Sequence, residues 1–274
     1  MTTKELPTRN RGRPRSSEPG AGGSVQALDR ALLLLELLAE ADGLTLTEVA
    51  QKADMAPSTA HRLLTTLEAH RYADQDPELG TWRIGVGAFR VGSAFLRNRK
   101  VVTLGRTVMR GLMEETGETV NLGIADGAEV VFISQFESHS PMRAFFRPGR
   151  RGPVHASGLG KAILAARPEA EVRALVGEGA LTRFTDKTIT RLEDFLAELT
   201  RIRARGWSLD DEEHTLGMRC IAAAIYDEYG EPLAGVSVSG PSVRIPDARL
   251  EALGRAVARA AAEITESVGG RAPE

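Results

Sequence analysis

The chain has 274 residues, 42% of them hydrophobic, and a formal charge of −2. That length is sufficient for two domains with separate cores. A single cysteine, Cys220, excludes an intrachain disulfide and a cysteine-rich zinc framework. No run of about eighteen apolar residues spans a bilayer, and no apolar segment of the signal-peptide kind follows the basic N-terminus; a cytoplasmic protein with no membrane partner is expected. A slight basic excess in residues 1–100 and an acidic one beyond them place any nucleic-acid affinity in a local patch.

Residues 1–23 have no apolar periodicity and read as a disordered arm. Their stretch Arg9-Asn-Arg-Gly-Arg-Pro-Arg15 carries a Gly-Arg-Pro core resembling the AT-hook. Arg11, Arg13 and Arg15 would then be drawn into a narrow minor groove, where negative potential concentrates. A basic tail acting non-specifically fits the same residues.

Residues 24–85 form the first expected domain. Ser24 can cap a helix with Val25, Leu28, Leu32, Leu35 and Leu38 as its buried stripe, ending before Asp42-Gly43. A second helix follows from a cap at Thr47, with Leu46, Val49, Ala50 and Ala53 at helical spacing. It breaks at Asp54-Met55-Ala56, and Pro57 opens a third helix in its first turn. On that helix Ala60, Leu63, Leu64 and Leu67 make an apolar face. The opposite side carries Ser58, Arg62, Thr65 and Thr66, with Thr59 and His61 beside them, groups suited to phosphates and base edges. An ordinary helical hairpin shows the same spacing. The following strands, Tyr72 to Gln75 and Thr81 to Ile84 around a Pro77–Gly80 turn, turn the pair into a winged helix-turn-helix flanked by Arg71 and Arg83.

Residues 86–100 are expected as a linker helix offering Val86, Phe89, Val91, Phe95 and Leu96 for packing. Residues 101–270 then alternate. A helix over 102–115 precedes strands over 119–125 and 130–135. A helix begins within His155 to Lys161, and another covers 192–205. Strands over 221–226 and 233–239 lead to a closing helix over 247–267. Antiparallel strands mixed with helices predict an α+β sensor-like domain.

The collinear order of PSTAHRLLTTLE, VGSAFL, GETVNL, HASGLGK, GWSLDDEEHTLGMRCIAA and SVSG resembles the IclR family of bacterial transcription regulators over residues 24–268. Within the family the likeness points most to glyoxylate-responsive repression of the glyoxylate-bypass operon. The resemblance implies a GAF-like effector domain, no cofactor or metal, and homodimers or homotetramers on palindromic double-stranded DNA operators. It also implies a small-acid pocket built from the amides of Gly158 and Leu159 with Asp210, Cys220, Ser237 and Ser239. The chemistry is coherent: helix-start N–H groups favour a carboxylate, and two serines on alternate strand positions share one face. Asp210 would accept a hydrogen bond from a hydroxyl of hydrated glyoxylate. Pro141, Ala144 and Gly152 replace bulkier apolar residues of that pocket's wall, so a larger or differently closed pocket is expected.

Two other functions use the same residues. The alternative is a family member serving aromatic-acid catabolism, whose effector would fill a larger pocket. Cys220, Ser157, His155 and His214 are also the raw material of a cysteine-dependent hydrolase. Gly158-Leu-Gly-Lys161 is no phosphate loop, because the longer glycine run and a hydroxyl residue after the lysine are missing.

Overall fold

Leu34, Leu38, Val49, Leu64 and Trp82, each at most 1% exposed, meet in the core of the N-terminal unit. The computed structural model describes residues 25–97 and 100–273, so Arg11, Arg13, Arg15 and the expected Ser24 cap lie outside the described residues. The chain divides into two units between Ala94 and Phe95. The first comprises α1 (Gln26–Ala39), β1 (Leu44–Thr45), α2 (Leu46–Lys52), α3 (Pro57–Ala69), β2 (Ala73–Gln75) and β3 (Thr81–Ile84). Helix α4 (Val86–Arg97) crosses the division.

Two expectations for this unit are corrected. The buried stripe of α1 is Leu34 and Leu38, with Leu37 partly covered, whereas Val25, Leu28 and Leu32 are 62%, 56% and 49% exposed. The leucine run satisfies helical spacing on more than one face, and contact with α3 selects one of them. The cap of α2 is Thr45, not Thr47. Thr45 Oγ1 accepts from the Glu48 N–H at 3.3 Å, and Glu48 Oε2 accepts from the Thr45 N–H at 2.8 Å. Thr45-Leu-Thr-Glu48 has the spacing of a reciprocal capping box, which Thr47 followed by Ala50 does not.

Pro57 occupies the first turn of α3, and Asp54 turns the chain between α2 and α3 with φ +47°. Strand β3 is the centre of a three-stranded antiparallel sheet, pairing Leu44 with Trp82 on one side and Asp74 with Arg83 on the other. At the base of the hairpin the Arg71 carbonyl accepts from the Gly87 N–H at 2.6 Å. A Cβ on Gly87 would stand 2.6 Å from that same oxygen, so only glycine permits α4 to start there.

The second unit contains α5 (Lys100–Thr116), β4 (Thr119–Asp126), β5 (Glu129–Phe136), β6 (Arg151–Pro153), α6 (Gly158–Ala165), α7 (Glu169–Val176), α8 (Leu192–Arg205), β7 (Ser208–Asp211), β8 (Met218–Tyr226), β9 (Pro232–Pro241) and α9 (Asp247–Ser267). Its six strands run antiparallel in the order β6-β5-β4-β9-β8-β7. The architecture is α+β, as the alternation predicts. Val120, Leu122, Ile221, Ala223, Val236 and Val238 face one side with α5 and α9. The other face carries small residues, Gly123, Ala222, Gly235, Ser237 and Ser239, beneath α6 and α8. Period-two alternation produces this division. Among the described residues no helix is long and apolar enough to cross a membrane.

The cap assignment is testable by substitution. Thr45→Ala should cost about 1 kcal/mol in denaturant unfolding of the chain, the usual loss of an N-cap. Thr47→Ala should change stability by only a few tenths, on the order of a surface substitution. Equal costs at the two positions would contradict the capping box.

Candidate effector site and DNA-reading surface

Helix α3 is pinned to its unit by Ala60 and Leu64, both fully buried. Ser58, His61, Arg62, Thr65 and Thr66 are exposed, and Thr59 is half-buried. Thr65 and Thr66 donate their hydroxyls to the carbonyls of His61 and Arg62, each at 2.9 Å, which fixes the side chains along the helix. Their oxygens still accept. Arg83, expected to flank the wing, is held on its own hairpin by Asp74 and Asp76 at 3.3 and 3.6 Å. Both partners lie on the same hairpin, and DNA would have to compete with them. Arg71 is exposed but sits at φ +64°, where its backbone closes the hairpin onto α4.

The cavity of the second unit starts where α6 meets the sheet. Ser157 caps α6, accepting from the Gly160 N–H at 3.4 Å. The N–H groups of Gly158 and Leu159, in the first turn, fall outside the intrahelical ladder. A Cβ on Gly158 would lie 2.9 Å from both the carbonyl oxygen and Sγ of Cys220, and one on Gly160 would run into the Val154 backbone. Glycine therefore brings the positive end of α6 down onto β8. Ser208 on β7 locks this approach by donating to the Gly158 carbonyl at 2.6 Å. The Leu159 side chain points into the core against Gly123 and Gly235, and Gly158 and Leu159, expected as effector contacts, are both buried and do not line the cavity, which reaches α6 only at its cap, Ser157.

Asp210, Cys220 and Ser239 line one cavity of about 250 Å³, together with Ala156 and Ser157 at the start of α6. Ser237 is a correction: it is fully buried and does not line that cavity. It lies on the same sheet face as Ser239, and the Cys220 thiol is near both hydroxyls. Among the described residues its hydroxyl has no conventional hydrogen-bond partner. Ser239 accepts from Asn121 Nδ2 at 3.3 Å, and Asn121 accepts from Gln135 Nε2 at 2.9 Å. That chain of amides holds the serine in place from behind.

Next to the cavity is a charge cluster that sequence reasoning missed. Lys161 on α6 is fully buried and donates to the Leu209 carbonyl and the Glu213 carboxylate. Asp210 accepts from the Glu213 N–H at 2.8 Å. Burial drives the Asp210 carboxyl up to about 7, aided by Glu213 and opposed by Lys161. Near neutral pH Asp210 thus both accepts hydrogen bonds and, when protonated, donates one. Burial and the charge of Asp210 push the Cys220 thiol up to about 11, the opposite of what a nucleophilic cysteine needs. His155, a candidate base for a hydrolase, instead bonds the Thr182 carbonyl through Nε2 at 2.9 Å.

The remaining wall is aromatic and basic. Phe132 on β5 stacks on Phe146 with centroids 4.7 Å apart and planes 2° from parallel. Ala144 and Gly152 line the cavity as expected of wall residues, whereas Pro141 does not. The wall segment Phe145-Phe-Arg-Pro-Gly-Arg-Arg151 has aromatic and basic residues together, a signal available in the sequence. Among the described residues no group of three His, Cys, Asp or Glu is placed to hold a metal ion.

The raised Asp210 carboxyl makes stability pH-dependent. An acid whose folded value lies above its unfolded value contributes stability that is complete below about pH 4 and disappears as pH rises through about 7. Asp210→Asn cannot ionise. Its unfolding free energy should therefore gain on the parent between pH 4 and pH 7 and hold that margin above, about 1 to 4 kcal/mol, read by denaturant titration at each pH. A margin that is flat across this window would show that Asp210 is already ionised.

Comparison with known proteins agrees with this geometry. The family described as "Bacterial transcriptional regulator IclR C-terminal" matches residues 93–266, and the "IclR helix-turn-helix domain" matches residues 27–77. The HTH-type transcriptional regulator BhcR of Paracoccus denitrificans is 52% identical, with 94% of each chain covered. The transcriptional repressor IclR of Escherichia coli is 43% identical, with 97% of this chain and 98% of the relative covered. The acetate operon repressor of Salmonella typhimurium is 42% identical over the same shares. The expected special nearness to that last kind of repressor is not what these identities give, since BhcR exceeds both. The crystal structure of the Thermotoga maritima IclR superposes with a TM-score of 0.75 at 28% identity, covering 90% of this chain and all of that one. These relatives are regulators of transcription. With family models matching both units and relatives of more than 40% identity spanning nearly the whole length, this chain belongs to the IclR family of bacterial transcriptional regulators.

Proposed function

We propose that this regulator controls an operon of small-carboxylate metabolism, and that glyoxylate or a related small oxo acid is its effector. The observation that carries the reading is the convergence of Asp210, Cys220, Ser239 and the start of α6 on one cavity. Unsatisfied N–H groups at a helix start take the carboxylate. Ser239 donates to it, and Asp210 receives a hydroxyl of the hydrated aldehyde. The protein works in the cytoplasm on double-stranded DNA, with α3 entering the major groove and the basic arm adding arginine contacts.

A homodimer, or a tetramer of two dimers, matches a palindromic operator, because a two-fold protein reads two-fold DNA. The apolar side chains left exposed on α1 and α4, Val25, Leu28, Leu32, Val86 and Phe89, support association of copies through these helices. The stacked Phe132 and Phe146 favour a second reading, an aromatic acid as effector, in the same cavity.

DNA reading is tested by Arg62→Ala. Among the described residues no ion pair holds Arg62, so the fold should survive. Footprint affinity at fixed salt should weaken by about 1 to 3 kcal/mol if the guanidinium reads a base. Undiminished affinity would remove Arg62 from the interface.

The effector is tested by calorimetry on the full chain. Glyoxylate should bind, and Ser239→Ala should weaken it by roughly 0.5 to 3 kcal/mol, as for a lost bond to a charged group, while ligand-free operator binding is unchanged. Asp210→Asn should harm glyoxylate more than pyruvate, which offers a smaller share of hydrated form. Unaltered glyoxylate affinity in both variants would displace the small-acid reading in favour of an aromatic acid.

A further inference from the structure

Four arginines line the effector cavity, and their partners differ. Arg143 is held by Glu137 at 2.7 Å. Arg151 is held by Asp126 and Glu129 at 2.8 and 2.6 Å. Arg219 is held by Asp211 and Asp247 at 2.6 and 2.8 Å. Among the described residues no carboxylate pairs with Arg150, whose guanidinium lies over the Phe146 ring, 5.4 Å from its centroid.

The position of this cation is defined from two directions. Phe146 is itself stacked on Phe132 of β5, so Arg150 sits at the β5 side of the cavity. Its charge also holds the imidazole of His214 below the ordinary histidine range, behind the larger effect of burial. His214 lines the cavity four residues beyond Asp210, so the guanidinium is within electrostatic reach of the Asp210 side as well. The cavity volume of about 250 Å³ equals that of roughly eight liquid waters at about 30 Å³ each. A two-carbon acid held at the start of α6 leaves much of that space unfilled.

We infer that Arg150 is a specificity residue for a second anionic group, so that the cavity selects an oxo acid with a carboxylate at each end. One carboxylate lies at the N-terminal turn of α6 beside Ser239, and the chain of the acid crosses the apolar wall. The distal carboxylate meets Arg150, whose planar fork suits bidentate pairing and is stacked on an aromatic face. The other three guanidiniums are neutralised by carboxylates of the protein and hold the wall in shape. This inference rests on the small-acid reading of the Asp210 end and adds the ligand class.

The test compares two acids of equal chain length, α-ketoglutarate and α-ketovalerate, which differ by the distal carboxylate, with glyoxylate as the probe of the inner end alone. Calorimetry on the full chain should give α-ketoglutarate about tenfold or greater advantage over α-ketovalerate, the size of one charge-assisted contact. Arg150→Gln should abolish that advantage while leaving glyoxylate and α-ketovalerate within about twofold of the parent. Arg150→Lys, which keeps the charge but not the fork, should restore part of it. Equal affinity for the two long acids in the parent, or an Arg150→Gln loss shared by both, would overturn the role of Arg150 and leave the inner site standing. If glyoxylate and both long acids fail to bind, the small-acid reading falls, and this inference falls with it.

Discussion

The buried ammonium of Lys161 is the constraint around which the effector unit is arranged. A fully buried cation is tolerated only when it is paired and hydrogen-bonded, and its partners come from outside its own helix: the Leu209 carbonyl on β7 and Glu213 just beyond it. The pair therefore ties α6 to the strand that presents Asp210. Thr188 extends the tie by donating to the Glu213 carbonyl at 2.6 Å, and Thr185 does so to the Glu212 carbonyl at 2.8 Å. Because Glu213 already compensates Lys161, Asp210 enjoys only part of that charge, and burial prevails in setting its ionisation. One ion pair thus positions the cavity wall, while burial sets the protonation of its acid.

That arrangement requires α6 to lie unusually near the sheet. Large side chains on the α5 and α9 side make an apolar core, whereas the opposite face is built from glycine, alanine and serine. Small residues there leave room for the helix start, and backbone amides reach a ligand only at such distances. The same closeness leaves Cys220 half-buried and its thiol poorly ionised, so a thiol in the cavity acts as a soft wall atom.

Much of this was legible in the sequence where local signals and tertiary demands agree. Helices Leu192–Arg205 and Asp247–Ser267 have the expected bounds, because apolar periodicity and end signals coincide there. The alternation that puts Ser237 and Ser239 on one face also held, but period two cannot say that only Ser239 would reach the cavity. No local signal marks the strand Ser208–Asp211, since Ser-Leu-Asp-Asp has little apolar alternation; pairing with β8 makes it a strand. The short edge strand Arg151–Pro153 is likewise a product of its neighbour. In α7 a local signal existed, Pro168 before Glu169 and Glu171 with Arg173 in the last turn. The ion pairs that separate Arg150 from Arg143, Arg151 and Arg219 join residues distant in the chain, and no spacing rule exposes them.

The wing is stitched on both flanks of β3, to β1 beside the Thr45 cap and to β2, with Trp82 sealed beneath it. A two-stranded hairpin alone is marginal in water and would have to surrender its freedom on meeting a groove. Here that freedom has been given up during folding, in company with the helices. Any contact the wing makes with a groove then carries a smaller ordering penalty, and would count more nearly at face value in affinity.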